Sequence, residues 1–293
     1  MNIFTGKELR QRFGIKMISF GLAGLLLACN QSKTEEPAAP SPKPKPTSDK
    51  PQVVATSSVI CDLTKMIAGS SIDLKCLIPP DKEPQTYAAN ITDLNSADVL
   101  LYNGYGLEAG MDKAIKSSTA EKKIAVAELA VPNPEKKDGK PNPYLWHNAF
   151  RALEMAKTIK RTLSDVAPKN TDLYIKNYDT FDRQMTVMQE WLKRQIASIE
   201  PKNRQLVSSR SSLVYYSNSY NIAVEGSAYG NSTADKLTSE QIEKTVARLK
   251  RLKIKAVFNE INADPQPLAD IAKKAGIKVA KGELYVKRTS KRW

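Results

Sequence analysis

From residue 53 onward, apolar and polar positions alternate in short blocks of two kinds. Residues 53–56 (VVAT) form a brief apolar run of strand type. Residues 57–68 place Ile60, Leu63 and Ile67 at helical spacing, with Ser57 or Ser58 able to cap the start and Gly69 to end it. The pattern then predicts a strand at 72–78 stopped by Pro79 and Pro80, and a short helix at 92–97. A strand at 99–102 breaks at Gly104 and Gly106, a helix covers 110–117, and a strand covers 124–129. Two helical stretches follow, 147–166 and 172–199. The second carries Tyr174, Tyr178, Phe181, Met185, Met188, Leu192 and Ile196 at spacings of three and four. That is one apolar stripe, read as core, on a helix of about 28 residues and near 40 Å. Alternation then resumes with strands at 205–209, 222–225, 256–260 and 277–279. Helices fall between them at 212–219, 238–252 (opened by Thr238) and 265–274 (ended by Gly276). Strands alternating with helices predict α/β architecture with parallel sheets, in two halves around one long helix.

The N-terminus has a different character. Lys7, Arg10, Arg12 and Lys16 precede the apolar residues 17–27, a run too short to span a bilayer of ~30 Å. This is the shape of an export signal, residues 1–28. It ends Leu26-Leu27-Ala28-Cys29, which resembles the lipobox of bacterial lipoproteins. The resemblance implies cleavage before Cys29 and a lipid on Cys29; a plain signal peptide with a chance cysteine is the alternative. Residues 30–52 hold six prolines and no aromatic residue. Such a segment buries too little to offset its ordering entropy and reads as a linker after Cys29.

Export bears on the other two cysteines. Cys61 and Cys76 stand 15 apart in a compartment that permits a disulfide, with two buried thiols as the alternative. A hydrophobic share of 41% and a charged share of 26% describe an ordinary globular body. One histidine and three cysteines exclude a His/Cys-rich zinc scaffold. A histidine-based triad could use only His147, and neither a Gly-x-Ser-x-Gly elbow nor a phosphate loop is present, so the chain does not read as an enzyme. The net charge of +14 includes +3 from residues 1–28 and +4 from residues 287–293. The remaining +7 is a mild surplus that does not argue for nucleic acid.

Specific residues carry a resemblance. Residues 54–63 (VATSSVICDL), 78–80 (IPP), 85–87 (QTY), 142–148 (NPYLWHN), 206–210 (LVSSR) and 257–264 (VFNEINAD) occur in this order. Together they resemble zinc- and manganese-type ABC-transporter substrate-binding proteins, closest in flavour to cyanobacterial zinc-type members. The resemblance covers roughly residues 53–286. It implies an N-terminal α/β lobe (53–168), a rigid linking helix (169–200) and a C-terminal α/β lobe (201–293), with a metal site in the cleft. It also implies an exported, lipid-anchored monomer facing the periplasm. Such a protein needs no cofactor and delivers zinc or manganese to an ABC permease and its ATPase.

The family's ligand positions depart from their pattern here. The first loop normally reads Pro-His-Thr-Tyr, and Gln85 holds the histidine position. The second normally reads Pro-His-x-Trp, and Tyr144 holds it. The third normally presents His or Glu, and Arg210 holds it. Asp264 matches the fourth. Glutamine and neutral tyrosine are poor zinc donors, and a guanidinium repels a divalent ion. His147 could serve as a ligand; a lone histidine more often caps or packs. The resemblance further suggests an Arg210–Asp264 ion pair in place of metal. In place of the family's histidine-rich loop stands a lysine-rich stretch, 132–141, and the second lobe reads as shortened, with a basic end at 287–293. The alternative function is a non-metal-binding homologue acting as an accessory, adhesion or interaction module.

Overall fold

The computed structural model describes residues 49–284, except 138, 211, 229–235 and 262. The signal segment, Cys29, the linker up to residue 48 and the basic C-terminal residues lie outside the described residues.

The first half is a four-stranded sheet in the order β2-β1-β3-β4, every pair parallel. Its strands are β1 (Gln52–Ala55), β2 (Asp73–Cys76), β3 (Val99–Tyr102) and β4 (Lys122–Ala125). Side chains alternate across the pleat, so Val53, Ala55, Val99 and Leu101 enter one core while Val54 and Leu100 enter another. The first core is closed by α1 (Ser58–Ala68) and packs Ile60, Leu63 and Ile67. Ser57 caps α1 by accepting from Ile60 N. The second core is closed by α2 (Ile91–Asn95) and α3 (Asp112–Ser117), through Leu94 and Ile115. Burial on both faces is the normal state of a parallel sheet.

The pattern prediction of a strand at 124–129 is corrected. β3 stops at Tyr102, because Gly104, Tyr105 and Gly106 all take positive φ and turn the chain away. Residues beyond Ala125 therefore have no strand to pair with. They form α4 (Val126–Ala130), anchored by Ala127 N donating to the Asn103 carbonyl. The lysine-rich stretch contains a small antiparallel hairpin, β5 (Lys136–Lys137) and β6 (Lys140–Pro141).

Helix α5 (Ala149–Val166) starts two residues later than the pattern predicts, because Asn148 is its cap and accepts from Arg151 N. Helix α6 (Thr171–Ala197) is the long element, 27 residues or about 40 Å. Its N-terminal half packs on α1 and α5 through Tyr174 and Phe181. Met188 is corrected: it faces solvent, while Tyr174, Phe181 and Ile196 of the same stripe are buried. Among the described residues no helix is long and apolar enough to cross a membrane.

After α6 come β7 (Gln205–Ser208), α7 (Val214–Tyr220), β8 (Ala223–Ser227), α8 (Ser239–Arg251), β9 (Ala256–Val257), α9 (Gln266–Ala275) and β10 (Lys278–Val279). β7 pairs β8 and β9 pairs β10, both parallel, and a parallel bridge between Ser208 and Phe258 joins the two pairs. Val207, Leu249, Val257, Leu268 and Ile271 form this half's core. Thr238 and Gln241 cap α8 reciprocally.

Cys61 and Cys76 form a disulfide between α1 and the end of β2, with Cα atoms 5.7 Å apart. Replacing both by alanine should lower unfolding stability by about 3 kcal/mol, the chain-entropy value for a loop of this length. Urea denaturation of the two forms would check it; a loss below about 1 kcal/mol would refute the estimate.

Candidate functional site

The segments that resemble the family's binding loops meet at the C-terminal ends of β2, β3, β7 and β9. This is the usual ligand edge of an open parallel sheet. The loop after β2 holds Glu83 and Gln85. Its backbone is pinned by Gly110, whose N–H donates to the Gln85 carbonyl at 2.9 Å. A Cβ at Gly110 would stand 2.6 Å from the Tyr87 carbonyl oxygen, so a side chain there would displace the loop. Gln85 Nε2 donates to the Tyr144 hydroxyl at 2.9 Å. Tyr144 is fully buried, and burial pushes its phenol far above the ordinary tyrosine range. It therefore stays neutral and is a weak donor to any cation.

Arg210 dominates the other side. It stands two residues after the end of β7 and its side chain is 0% exposed. Its Nη2 lies 3.0 Å from Glu83 Oε2 and its Nη1 lies 3.5 Å from Glu260 Oε2. Its backbone N–H donates to Glu260 Oε1 at 3.0 Å. Ser212 Oγ reaches both Glu260 oxygens, at 3.2 and 3.3 Å, and Glu260 N donates to Ser209 Oγ. A buried guanidinium thus bridges a carboxylate from the first half and one from the second.

This corrects the Arg210–Asp264 ion pair. Asp264 is exposed, and its Oδ1 accepts from Gln266 N at the start of α9. A short carboxylate beside a helix N-terminus is well placed to cap it and has no reason to reach inward. The partners of Arg210, Glu83 and Glu260, were not among the sequence-derived candidates. The signal lay in Arg210 itself: a permanent cation after an apolar strand needs carboxylates, and Glu83 and Glu260 lie in the matching loops.

His147 belongs to a 3₁₀ turn, Leu145–His147, ahead of the α5 cap. Its Nδ1 lies 3.0 Å from the Ser212 carbonyl oxygen, so Nδ1 carries the proton and ties the two halves. Asn148 donates to Ser219, and the Tyr215 hydroxyl accepts from Glu135 N and donates to the Asn142 carbonyl. Among the described residues no group of three His, Cys, Asp or Glu could hold a metal ion.

Residues 53–292 match the family described as ZnuA, zinc-uptake complex component A periplasmic. The chain belongs to this family. As a member it is a substrate-binding component of ABC uptake, not an enzyme. A metal ABC transporter substrate-binding lipoprotein, SloC of Streptococcus mutans, is 31% identical over 280 residues, covering 90% of this chain and 86% of that relative. The manganese ABC transporter substrate-binding lipoprotein PsaA of Streptococcus pneumoniae is 28% identical over 269 residues, covering 87% of this chain and 83% of PsaA. In fold, this family member is similar to the periplasmic zinc-binding protein TroA of Treponema pallidum. The TM-score is 0.77 at 24% identity, over 82% of this chain and 90% of TroA.

One carboxylate near the site sits apart from the ion cluster. Glu108 is buried and accepts from Thr56 Oγ1, Asn103 N and Gly104 N. Burial raises its pKa from 4.5 to about 7, against the pull of these hydrogen bonds. A raised carboxyl pKa means the folded state holds the proton longer than the unfolded state. The stability tied to this proton is present below about pH 4.5 and is lost as pH rises through about 7. Urea unfolding across that window should show the decline, and Glu108→Gln should flatten it; an unchanged slope would refute the assignment.

Proposed function

We propose that this chain is the substrate-binding lipoprotein of a zinc- or manganese-type ABC uptake system in which an internal cation has weakened metal capture. The carrying observation is Arg210, buried between Glu83 and Glu260 at a position where the resemblance expects a ligand. A transition metal entering here would have to displace a guanidinium that already uses both carboxylates. Gln85 and the neutral Tyr144 offer it little in return. The role of such a protein is capture, lobe closure and hand-over to a permease driven by a separate ATPase. The named cargoes of relatives, manganese for PsaA and zinc for TroA, set the metals to test. Cys29 would hold the chain to the membrane, on the periplasmic side, as a monomer.

Calorimetric titration of the full chain with Zn²⁺ and Mn²⁺ is the test, with circular dichroism as the folding control. The expected result is no sub-micromolar site on a folded chain. One saturable sub-micromolar site would overturn the weakened-capture reading and leave a working receptor.

A further inference from the structure

We infer that the groove at the starts of β7 and β9 is a docking site for an acidic polypeptide segment of a partner protein, one that also carries apolar side chains. The candidate metal-family site lies at the opposite ends of these strands, so the two surfaces are separate. The first backbone link between β7 and β9 is Phe258 N donating to the Val207 carbonyl at 2.9 Å. Ahead of that link a groove of about 560 Å³ opens. Leu252, Ile254 and Phe258 line it together with Lys202, Lys253 and Lys255, and no acid is among its lining residues. Among the described residues Lys202 pairs with Glu200 at 3.0 Å, while Lys253 and Lys255 have no ion-pair partner. Lys253 takes a φ of 53° at the turn after α8, where glycine would be unstrained, so its charge is not a requirement of the turn.

The charge extends beyond the groove. Residues 200–205, 250–256 and 276–278, which lead into β7, β9 and β10, hold seven bases, and Glu200 is their single acid. Their net +6 is nearly all of the +7 surplus found between residues 29 and 286. Bases at helix ends suit the helix dipole, and Arg204 serves the end of α6 by donating to the Ala197 and Ile199 carbonyls. Lys255 and Lys278 stand beyond the ends of α8 and α9, on the approaches to the strands. Shape and charge together select the occupant. A bare phosphate or an anionic glycan would meet the lysines and leave the apolar floor in water. A bilayer surface is too broad to enter a groove of this size. A peptide with carboxylates flanking aliphatic or aromatic side chains covers the floor and answers the rim at once.

The test uses the full chain and three probes: a random glutamate–tyrosine copolymer, polyglutamate of the same length, and phosphatidylglycerol vesicles. Fluorescence anisotropy of the labelled polymers and co-sedimentation with the vesicles measure binding at one salt concentration. The expected result is that the copolymer binds at least about tenfold more tightly than polyglutamate, because only the copolymer brings apolar side chains to the floor. Lys253→Glu combined with Lys255→Glu should weaken copolymer binding at least about tenfold while circular dichroism stays unchanged. Lys113→Glu combined with Lys116→Glu, on α3, makes the same change in net charge elsewhere and should leave that binding intact. Equal binding of the two polymers, or of neither, would overturn the proposal, and so would an equal loss in both pairs of variants. Tighter binding to the vesicles would overturn it by assigning the edge to lipid. Self-association of the chain that the copolymer disperses would overturn it by assigning the groove to a second copy.

Discussion

Arg210→Met should cost the folded chain about 3–5 kcal/mol, the penalty for leaving buried carboxylates without their counter-charge. The Glu260 side chain is 0% exposed and that of Glu83 is 13% exposed, so water cannot replace the guanidinium. For a domain of this size the loss corresponds to a melting temperature lower by on the order of 10 °C. Methionine keeps much of the volume, so the change reports charge rather than a cavity. Arg210→Lys should also destabilise, because one ammonium cannot span two carboxylates as a planar fork does. Adding Glu260→Gln to Arg210→Met should restore part of the loss, since the amide still accepts from the Arg210 position's backbone N–H without carrying charge. If Arg210→Met unfolds within about 1 kcal/mol of the parent, the cluster behaves as a solvent-screened pair rather than a buried one.

The second large effect is a gain. Gln85→His, Tyr144→His and Arg210→Glu together would place two imidazoles and a carboxylate at the positions where the family resemblance expects ligands. The Gln85 and Tyr144 side chains already touch at 2.9 Å, so two imidazoles there start within reach of one ion. Without metal the triple variant would crowd three carboxylates, at 83, 210 and 260, and should be less stable than the parent. Zn²⁺ or Mn²⁺ should restore that stability and bind at least about a hundredfold more tightly than to the parent, since each ~1.4 kcal/mol of coordination is tenfold. Titration and metal-dependent melting would measure both. A folded triple variant that binds no metal would refute the reading of positions 85, 144 and 210 as ligand positions.

Much of the architecture was legible because it rests on periodicity. The all-apolar runs at Val53–Ala55 and Val99–Leu101 can be buried only on both faces, and both faces are covered. The long helix and its inward Tyr174 and Phe181 follow from spacing alone. What spacing does not encode is partnership. Whether residues after Ala125 continue as strand depends on where β3 ends, and three positive-φ residues end it at Tyr102. Met188 satisfies the stripe arithmetic, yet its side chain is 41% exposed. At the site, the charge of Arg210 alone marks it as incompatible with metal, but the motif position Asp264 does not reveal its partners, Glu83 and Glu260. Glu83 lies two residues before the motif glutamine, where no pattern marks it, and Glu260 shares a segment with Asp264 but is buried where Asp264 is exposed.

The same guanidinium changes what the cleft responds to. An imidazole or carboxylate site loses its ion to a chelator and refills when supply returns, so its closure follows the outside world. Arg210 is covalently part of the chain, and its charge persists across the biological pH range. The bridge between Glu83 and Glu260 therefore needs no bound ion to stay in place. A chelator should therefore leave the Arg210 bridge unaltered.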